Sequence, residues 1–109
     1  MSKNLFNFNS IFINTKWWFD STGGQPYFAS RVFVDGECVA ALPFQNGSVM
    51  EMPQYEALKA LQGLGIIAPS FRVLWHINRD LPAEQKIAIY TATERVTKRE
   101  CKRWAEVTL

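Results

Sequence analysis

The chain has 109 residues, of which 48% are hydrophobic and 14% aromatic, with a formal net charge of +2. This length predicts a single domain over residues 1–109 with a sizeable core, and it excludes a second domain. So small a net charge carries no argument for a polyanionic partner, although most of the basic excess lies between Arg95 and Arg103.

The first predicted element is an aromatic strand from Ile11 to Asp20, and a Gly-Gly loop follows it. A hairpin centred on Asp35-Gly36 comes next, because a type I′ turn needs positive φ at both central residues and Asp-Gly tolerates this. Pairing outward from the turn sets Val34 opposite Glu37, Phe33 opposite Cys38, Val32 opposite Val39, Arg31 opposite Ala40 and Tyr27 opposite Phe44.

Alternation then divides the hairpin between two faces. One predicted face carries Tyr27, Ala29, Arg31, Phe33, Cys38, Ala40, Leu42 and Phe44. The other carries Phe28, Ser30, Val32, Val34, Val39, Ala41 and Pro43. Neither face is polar enough to lie against water, so we expect both to be covered.

A helix is predicted from Pro53 to about Gly63, with Gly63 and Gly65 ending it. Its apolar stripe consists of Tyr55, Leu58, Leu61 and Leu64. Two further strands are predicted, over residues 71–78 and from Lys86 to Val96.

The last predicted element is a helix beginning at Thr97, where Thr97 and Glu100 form a capping box and Val96 and Cys101 occupy the positions of a hydrophobic staple. The element order is β-β-β-α-β-β-α. We therefore expect an α+β domain with a mainly antiparallel, five-stranded sheet and two helices.

Residues with chemical potential are few. His76 is the single histidine, and it suits a hydrogen-bonded surface position better than a Cys-His pair with Cys38 or Cys101. The two cysteines have no metal-site spacing, which predicts two reduced core thiols in an intracellular protein. No catalytic residue, metal site or cofactor is predicted, and an enzyme is not favoured.

The amino-terminal apolar residues are interrupted by Asn4, Asn7 and Asn9, which does not support a signal peptide or a membrane span. A soluble, cytoplasmic protein without a membrane partner is expected.

Two surface features are candidates for binding. Trp17 and Trp18 point to opposite sides of the first strand near Lys16 and Arg31, so they are either core residues or anchors for a partner. On the last helix, Lys98 and Lys102 share a face, as do Arg99 and Arg103. This basic ridge is either a phosphate-binding surface or an ordinary solvated helix face.

Three segments together show a resemblance: Phe12 to Asp20, Tyr27 to Gly36, and Leu42-Pro43-Phe44-Gln45 with Tyr55 to Leu58. They resemble a group of small accessory proteins of bacteriophages over about the first two thirds of the chain. The resemblance implies a viral accessory protein, a class that includes inhibitors of host defence such as anti-CRISPR proteins. It carries no active residues over to this chain.

The residues together with this resemblance predict a small non-enzymatic binding protein of phage or mobile-element origin. It would inhibit a host protein or ribonucleoprotein complex by occupying a surface on it. Its expected contacts, which would also close a homodimer, are Trp17, Trp18, Tyr27 and Phe33. The alternative is a nucleic-acid-binding module that uses Lys16, Arg31, Lys98, Arg99, Lys102 and Arg103.

Overall fold

The computed structural model of the chain describes residues 8–48, 52–67 and 87–108. Its elements are β1 (Ser10–Asp20), β2 (Gln25–Val34), β3 (Glu37–Asn46), α1 (Met52–Gly63), β4 (Ala88–Arg95) and α2 (Lys98–Ala105). The strands form one four-stranded sheet in the order β3-β2-β1-β4. The expected α+β fold with two helices is confirmed.

The sheet is mixed, and it differs from the expected mainly antiparallel arrangement in the direction of one strand. β1 pairs with β2, and β2 with β3, in antiparallel fashion, whereas β4 runs parallel to β1. A parallel neighbour requires a long crossover connection, and the chain between Asn46 and Ala88, which includes α1, provides one. The strand predicted over residues 71–78, with His76, lies outside the described residues.

The predicted hairpin turn is confirmed, since Asp35 has a φ of 49° and Gly36 a φ of 86°. Asp35 also ties the turn to the beginning of β1. Its Oδ1 accepts hydrogen bonds from the backbone N–H of Asn9 (3.0 Å) and Ser10 (2.9 Å), and from the Ser10 hydroxyl (3.3 Å). The carboxylate therefore joins the beginning of β1 to the end of β2, which lie at the same end of this antiparallel pair.

The predicted hairpin register is correct for the two pairs next to the turn and wrong beyond them. Val39 is an extra residue at a β-bulge, and a second irregularity follows between Phe28 and Ser30. The observed pairs are Val32 with Ala40, Arg31 with Ala41 and Tyr27 with Asn46.

The bulge moves Ala40, Ala41 and Leu42 to the faces opposite to those predicted, and Ala41 now pairs with Arg31. Ala40 and Leu42, predicted to lie beside Tyr27, instead join the core with Phe28 and Val32. A one-residue shift is enough for this, because side chains alternate with a period of two.

α1 covers the core face of the sheet. Buried side chains of the sheet pack there against Ala57, Leu58 and Leu61 of the helix. The sheet contributes Ile11, Ile13, Phe28, Val32, Ala40 and Leu42. Two polar side chains, Thr15 and Ser30, are buried in the same layer, and their hydroxyls hydrogen-bond each other at 2.7 Å.

α2 covers part of the opposite face. Its Cys101 is completely buried and its thiol donates to the Lys16 carbonyl at 3.3 Å, while the Trp104 indole N–H donates to the Asn14 carbonyl at 2.9 Å. The two helices thus lie on opposite sides of the sheet. The premise of the predicted homodimer, that both helices lie on one side, is wrong.

The helix ends follow the predicted local chemistry. α1 ends in a Schellman motif, with Gly65 at a φ of 77°, its N–H donating to the Gln62 carbonyl and the Ile66 N–H donating to the Leu61 carbonyl. Leu64, predicted in the apolar stripe, is 57% exposed because it lies beyond the last helical residue. At the start of α2 the Thr97 hydroxyl accepts from the Glu100 N–H and donates to the Glu100 carboxylate.

Among the described residues, no helix has the length and apolar character needed to cross a membrane.

Candidate binding surface

Three aromatic rings, one from each of three neighbouring strands, form a compact cluster on the face of the sheet that α2 covers. The β1–β2 register places Trp18 opposite Tyr27, and their ring centroids are 5.6 Å apart. The third ring is that of Phe44 on β3. Its centroid lies 5.2 Å from that of Tyr27, on which it stacks, and 6.5 Å from that of Trp18. These three side chains, all half-buried, are called the aromatic row below.

Two lysines of α2 lie over the aromatic row. The ammonium of Lys98 is 5.2 Å from the Trp18 ring centroid, and that of Lys102 is 5.5 Å from the Phe44 centroid. Residues four positions apart lie one above the other on a helix, so one face of α2 presents both charges to the row. The two lysines of the predicted ridge and part of the predicted aromatic contact therefore form one surface.

These cation–π contacts are weak enough for contacts with a ligand to replace them. An exposed ammonium over an aromatic ring stabilises the fold by only about 0.5–1 kcal/mol. Both lysines are exposed, so their head groups can leave the rings for a ligand at little cost. The surface formed by Lys98, Lys102 and the aromatic row, called the α2 surface below, offers flat apolar groups and positive charge together.

A second cluster lies at the other end of α2. The Trp104 ring has the Arg31 guanidinium carbon 3.8 Å from its centroid and the Lys16 ammonium 4.7 Å from it. Lys16 also pairs with Glu94 at 3.4 Å, and the Arg31 Nε–H donates to the Trp104 carbonyl at 3.0 Å. Lys16 and Arg31, predicted as nucleic-acid contacts, thus meet beside a tryptophan that no prediction assigned to a site.

The other predicted contact residues are dispersed. Trp17 points to the α1 side, where it packs on the core, and the Arg95 guanidinium carbon lies 5.4 Å from its ring centroid. Phe33 shares a face with Trp18 and Tyr27, but it stacks on Phe12 at 5.7 Å rather than joining the aromatic row. Arg99 and Arg103 are both exposed on α2.

An open cavity of about 550 Å³ lies where β1 and β4 end and α2 begins. Its charged lining residues are Glu94, Arg95, Lys98 and Glu100. Two carboxylates and two cations balance there, so this cavity has no net preference for a charged ligand.

The two cysteines have different surroundings in the described part of the chain. Both cysteines are free; Cys101 is buried as expected, but Cys38 is only half-buried. Burial raises the pKa of the Cys101 thiol, which keeps it protonated at neutral pH. Within residues 8–48, 52–67 and 87–108, no group of three or more His, Cys, Asp and Glu side chains is placed to hold a metal ion.

Sequence reasoning missed Phe44 and Trp104 as site residues. A signal for Phe44 existed, because the predicted register set it opposite Tyr27, and the rings do stack although the actual Cα partner is Asn46. Trp104 had no comparable signal. Its contacts with Lys16 and Arg31 depend on how α2 crosses the sheet.

Comparison with known proteins finds no match to the chain among protein families, curated proteins or solved structures.

Proposed function

We propose that the chain is a small non-enzymatic binding protein that contacts a macromolecule through the α2 surface. The observation that carries this proposal is the position of Lys98 and Lys102 over Trp18 and Phe44. Aromatic anchors beside positive charge are typical of protein contact surfaces, where a few such residues provide most of the binding energy. The resemblance to phage proteins extends the proposal to a host macromolecule, such as a defence complex, as the target.

A pull-down from host lysate with matched variants tests this function. We expect Lys102→Glu to abolish capture, because it places a carboxylate beside the aromatic row. The matched control is Lys59→Glu on α1, whose ammonium lies 5.3 Å from the Tyr55 ring centroid and which changes net charge equally. Equal capture by both variants would reject the α2 surface. His76→Ala should leave biological activity within a few-fold, and a loss of activity by orders of magnitude with an intact fold would make His76 a site residue.

A single-stranded nucleic acid is the second candidate partner. The specific observation in its favour is the placement of two ammonium groups over a cluster of flat rings. Bases stack on aromatic side chains while lysines neutralise phosphates. Treating the lysate with nuclease before the pull-down separates this candidate from a protein partner.

Fluorescence anisotropy tests the second candidate directly, with labelled single- and double-stranded DNA and RNA at low and physiological salt. Affinity should fall steeply as salt rises, because counterion release scales with the number of neutralised phosphates. Absence of binding at low salt rejects nucleic acid as the partner. Binding that survives Lys98→Glu combined with Arg99→Glu rejects the basic ridge as its site.

A homodimer remains part of the proposal, at the end of the sheet that Phe33 occupies. Phe12 and Phe33 stack there, and Tyr90, 60% exposed, lies beside Phe12 in the β1–β4 register. Light scattering over the micromolar range should show dimers that Tyr90→Ser weakens. A monomer at every concentration would reject this part of the proposal.

A further inference from the structure

A second cleft lies between the sheet and the carboxyl-terminal half of α2, away from the aromatic row. It has a volume of about 350 Å³ and is lined by Lys16, Arg31, Glu100, Arg103 and Trp104. Three cationic side chains thus face a cavity lined by a single carboxylate. This excess of positive charge distinguishes the cleft from the cavity at the start of α2, where the charges balance.

Arg31 is held in place before any ligand arrives. Its guanidinium carbon lies 3.8 Å from the Trp104 ring centroid and its Nε–H donates to the Trp104 carbonyl. Among the described residues, no hydrogen bond uses its two terminal nitrogens. A guanidinium that is held in place with both terminal nitrogens available as donors is suited to binding a planar or tetrahedral oxyanion.

The carboxylates near the cleft compete only weakly with an anionic ligand for the three cations. Glu100 already accepts the Thr97 hydroxyl on its Oε1 at 3.1 Å, so this oxygen is engaged by the helix start. Glu94 pairs with Lys16, but 64% of its side chain is exposed. An exposed ion pair of this kind contributes little stability, so an incoming dianion can displace Glu94.

We propose that this cleft binds a phosphate monoester, with Arg31 and Arg103 as its main contacts and Lys16 as the third cation. The three cations and the Glu100 carboxylate leave a surplus of two positive charges in the lining. A monoester carries about −1.5 to −2 charges at neutral pH, which matches this surplus better than a carboxylate or a phosphodiester does. The group can come from a free nucleotide or from the 5′ end of a strand. The inference stands independently of the proposed function, because Lys102 and the aromatic row do not line the cleft.

NMR of the Trp104 indole N–H tests the site during titration with inorganic phosphate, with sodium chloride keeping the ionic strength constant. We expect saturable shifts in the wild type. Arg103→Gln should weaken phosphate binding by about tenfold, the usual loss for one charge-assisted hydrogen bond. Arg99→Gln, an exposed arginine on the same helix with the same charge change, should alter it by less than about twofold.

The phosphate titration would overturn the proposal if the shifts did not saturate. Equal losses of affinity in Arg103→Gln and Arg99→Gln would also overturn it, because they would indicate general electrostatic attraction. Further titrations identify the source of the phosphate. Adenosine monophosphate is compared with adenosine, and a 5′-phosphorylated oligonucleotide with its unphosphorylated form. A gain from the phosphate in the first pair alone assigns a free nucleotide, and a gain in the second pair assigns a strand end. No gain in either pair would overturn the monoester assignment.

Discussion

Arg31 of β2 and Trp104 of α2, 73 positions apart in the chain, are joined by two contacts. The guanidinium carbon lies 3.8 Å from the ring centroid, and Nε–H donates to the Trp104 carbonyl at 3.0 Å. The end of α2 is thereby attached to the middle of the sheet, in addition to the hydrogen bonds that Cys101 and the Trp104 indole N–H make with β1.

Arg31→Lys should lower the free energy of unfolding by about 1–2 kcal/mol, since the charge remains but the flat stacking contact and the Nε–H bond are lost. Urea denaturation measures this, with Arg99→Lys on exposed α2 as the control that should change nothing. An unchanged midpoint for Arg31→Lys would mean that the other contacts hold the helix unaided.

Thr15 and Ser30 share the buried hydrogen bond between β1 and β2. Thr15→Val leaves the Ser30 hydroxyl buried without its partner and should cost about 1–3 kcal/mol, and Ser30→Ala should cost a similar amount. The double variant should cost less than the sum, because both polar groups are then removed together. Strict additivity in denaturation experiments would contradict a direct bond between the hydroxyls.

Asp35 combines a positive φ with three accepted hydrogen bonds. Asp35→Ala should destabilise the fold by about 2–3 kcal/mol, since it removes the acceptor and places a residue disfavoured at positive φ in the turn. Asp35→Asn should cost about 1 kcal/mol or less, because asparagine tolerates this conformation and keeps a side-chain oxygen. Thermal unfolding of the two variants checks this order, and equal losses would contradict it.

The Cys101 thiol makes stability depend on alkaline pH. Burial raises its pKa in the folded state, so the unfolded chain loses this proton at a lower pH than the folded chain does. Below the unfolded-state pKa the thiol imposes no penalty on folding. Above that pKa, stability falls as pH rises towards the folded-state pKa, because the unfolded state binds fewer protons there.

Denaturation of the wild type and Cys101→Ala between pH 7 and pH 10 measures this effect, with the gap between them expected to narrow as pH rises. In a Cys38→Ala background, alkylation of Cys101 should be slow in the native state and fast in urea. Rapid native alkylation would contradict a buried, protonated thiol.

Local chemistry was sufficient to predict the turns and helix ends of this protein. Asp35-Gly36 specifies its own backbone angles, Gly65 ends α1, and Thr97 with Glu100 starts α2, because each feature depends on residues adjacent in the chain. The α+β class and the basic face of α2 follow from spacing alone. Periodicity also placed Leu58 and Leu61 on the apolar stripe of α1 and grouped Phe28 with Val32 on one face of the hairpin, and all four lie in the core.

Contacts between distant segments of the chain could be identified only from the tertiary structure. The bulge at Val39 moved the side chains of Ala40 and Leu42 to the face opposite to the predicted one. Such a bulge depends on packing across strands rather than on the sequence of one strand. The parallel pairing of β4 with β1 depends on the route of the crossover connection. Likewise, the placement of α2 on the face opposite α1 brings Lys98 and Lys102 to the aromatic row and Arg31 to Trp104. Those contacts depend on the angle and position of a helix on a sheet, which side-chain packing sets and helical spacing does not encode.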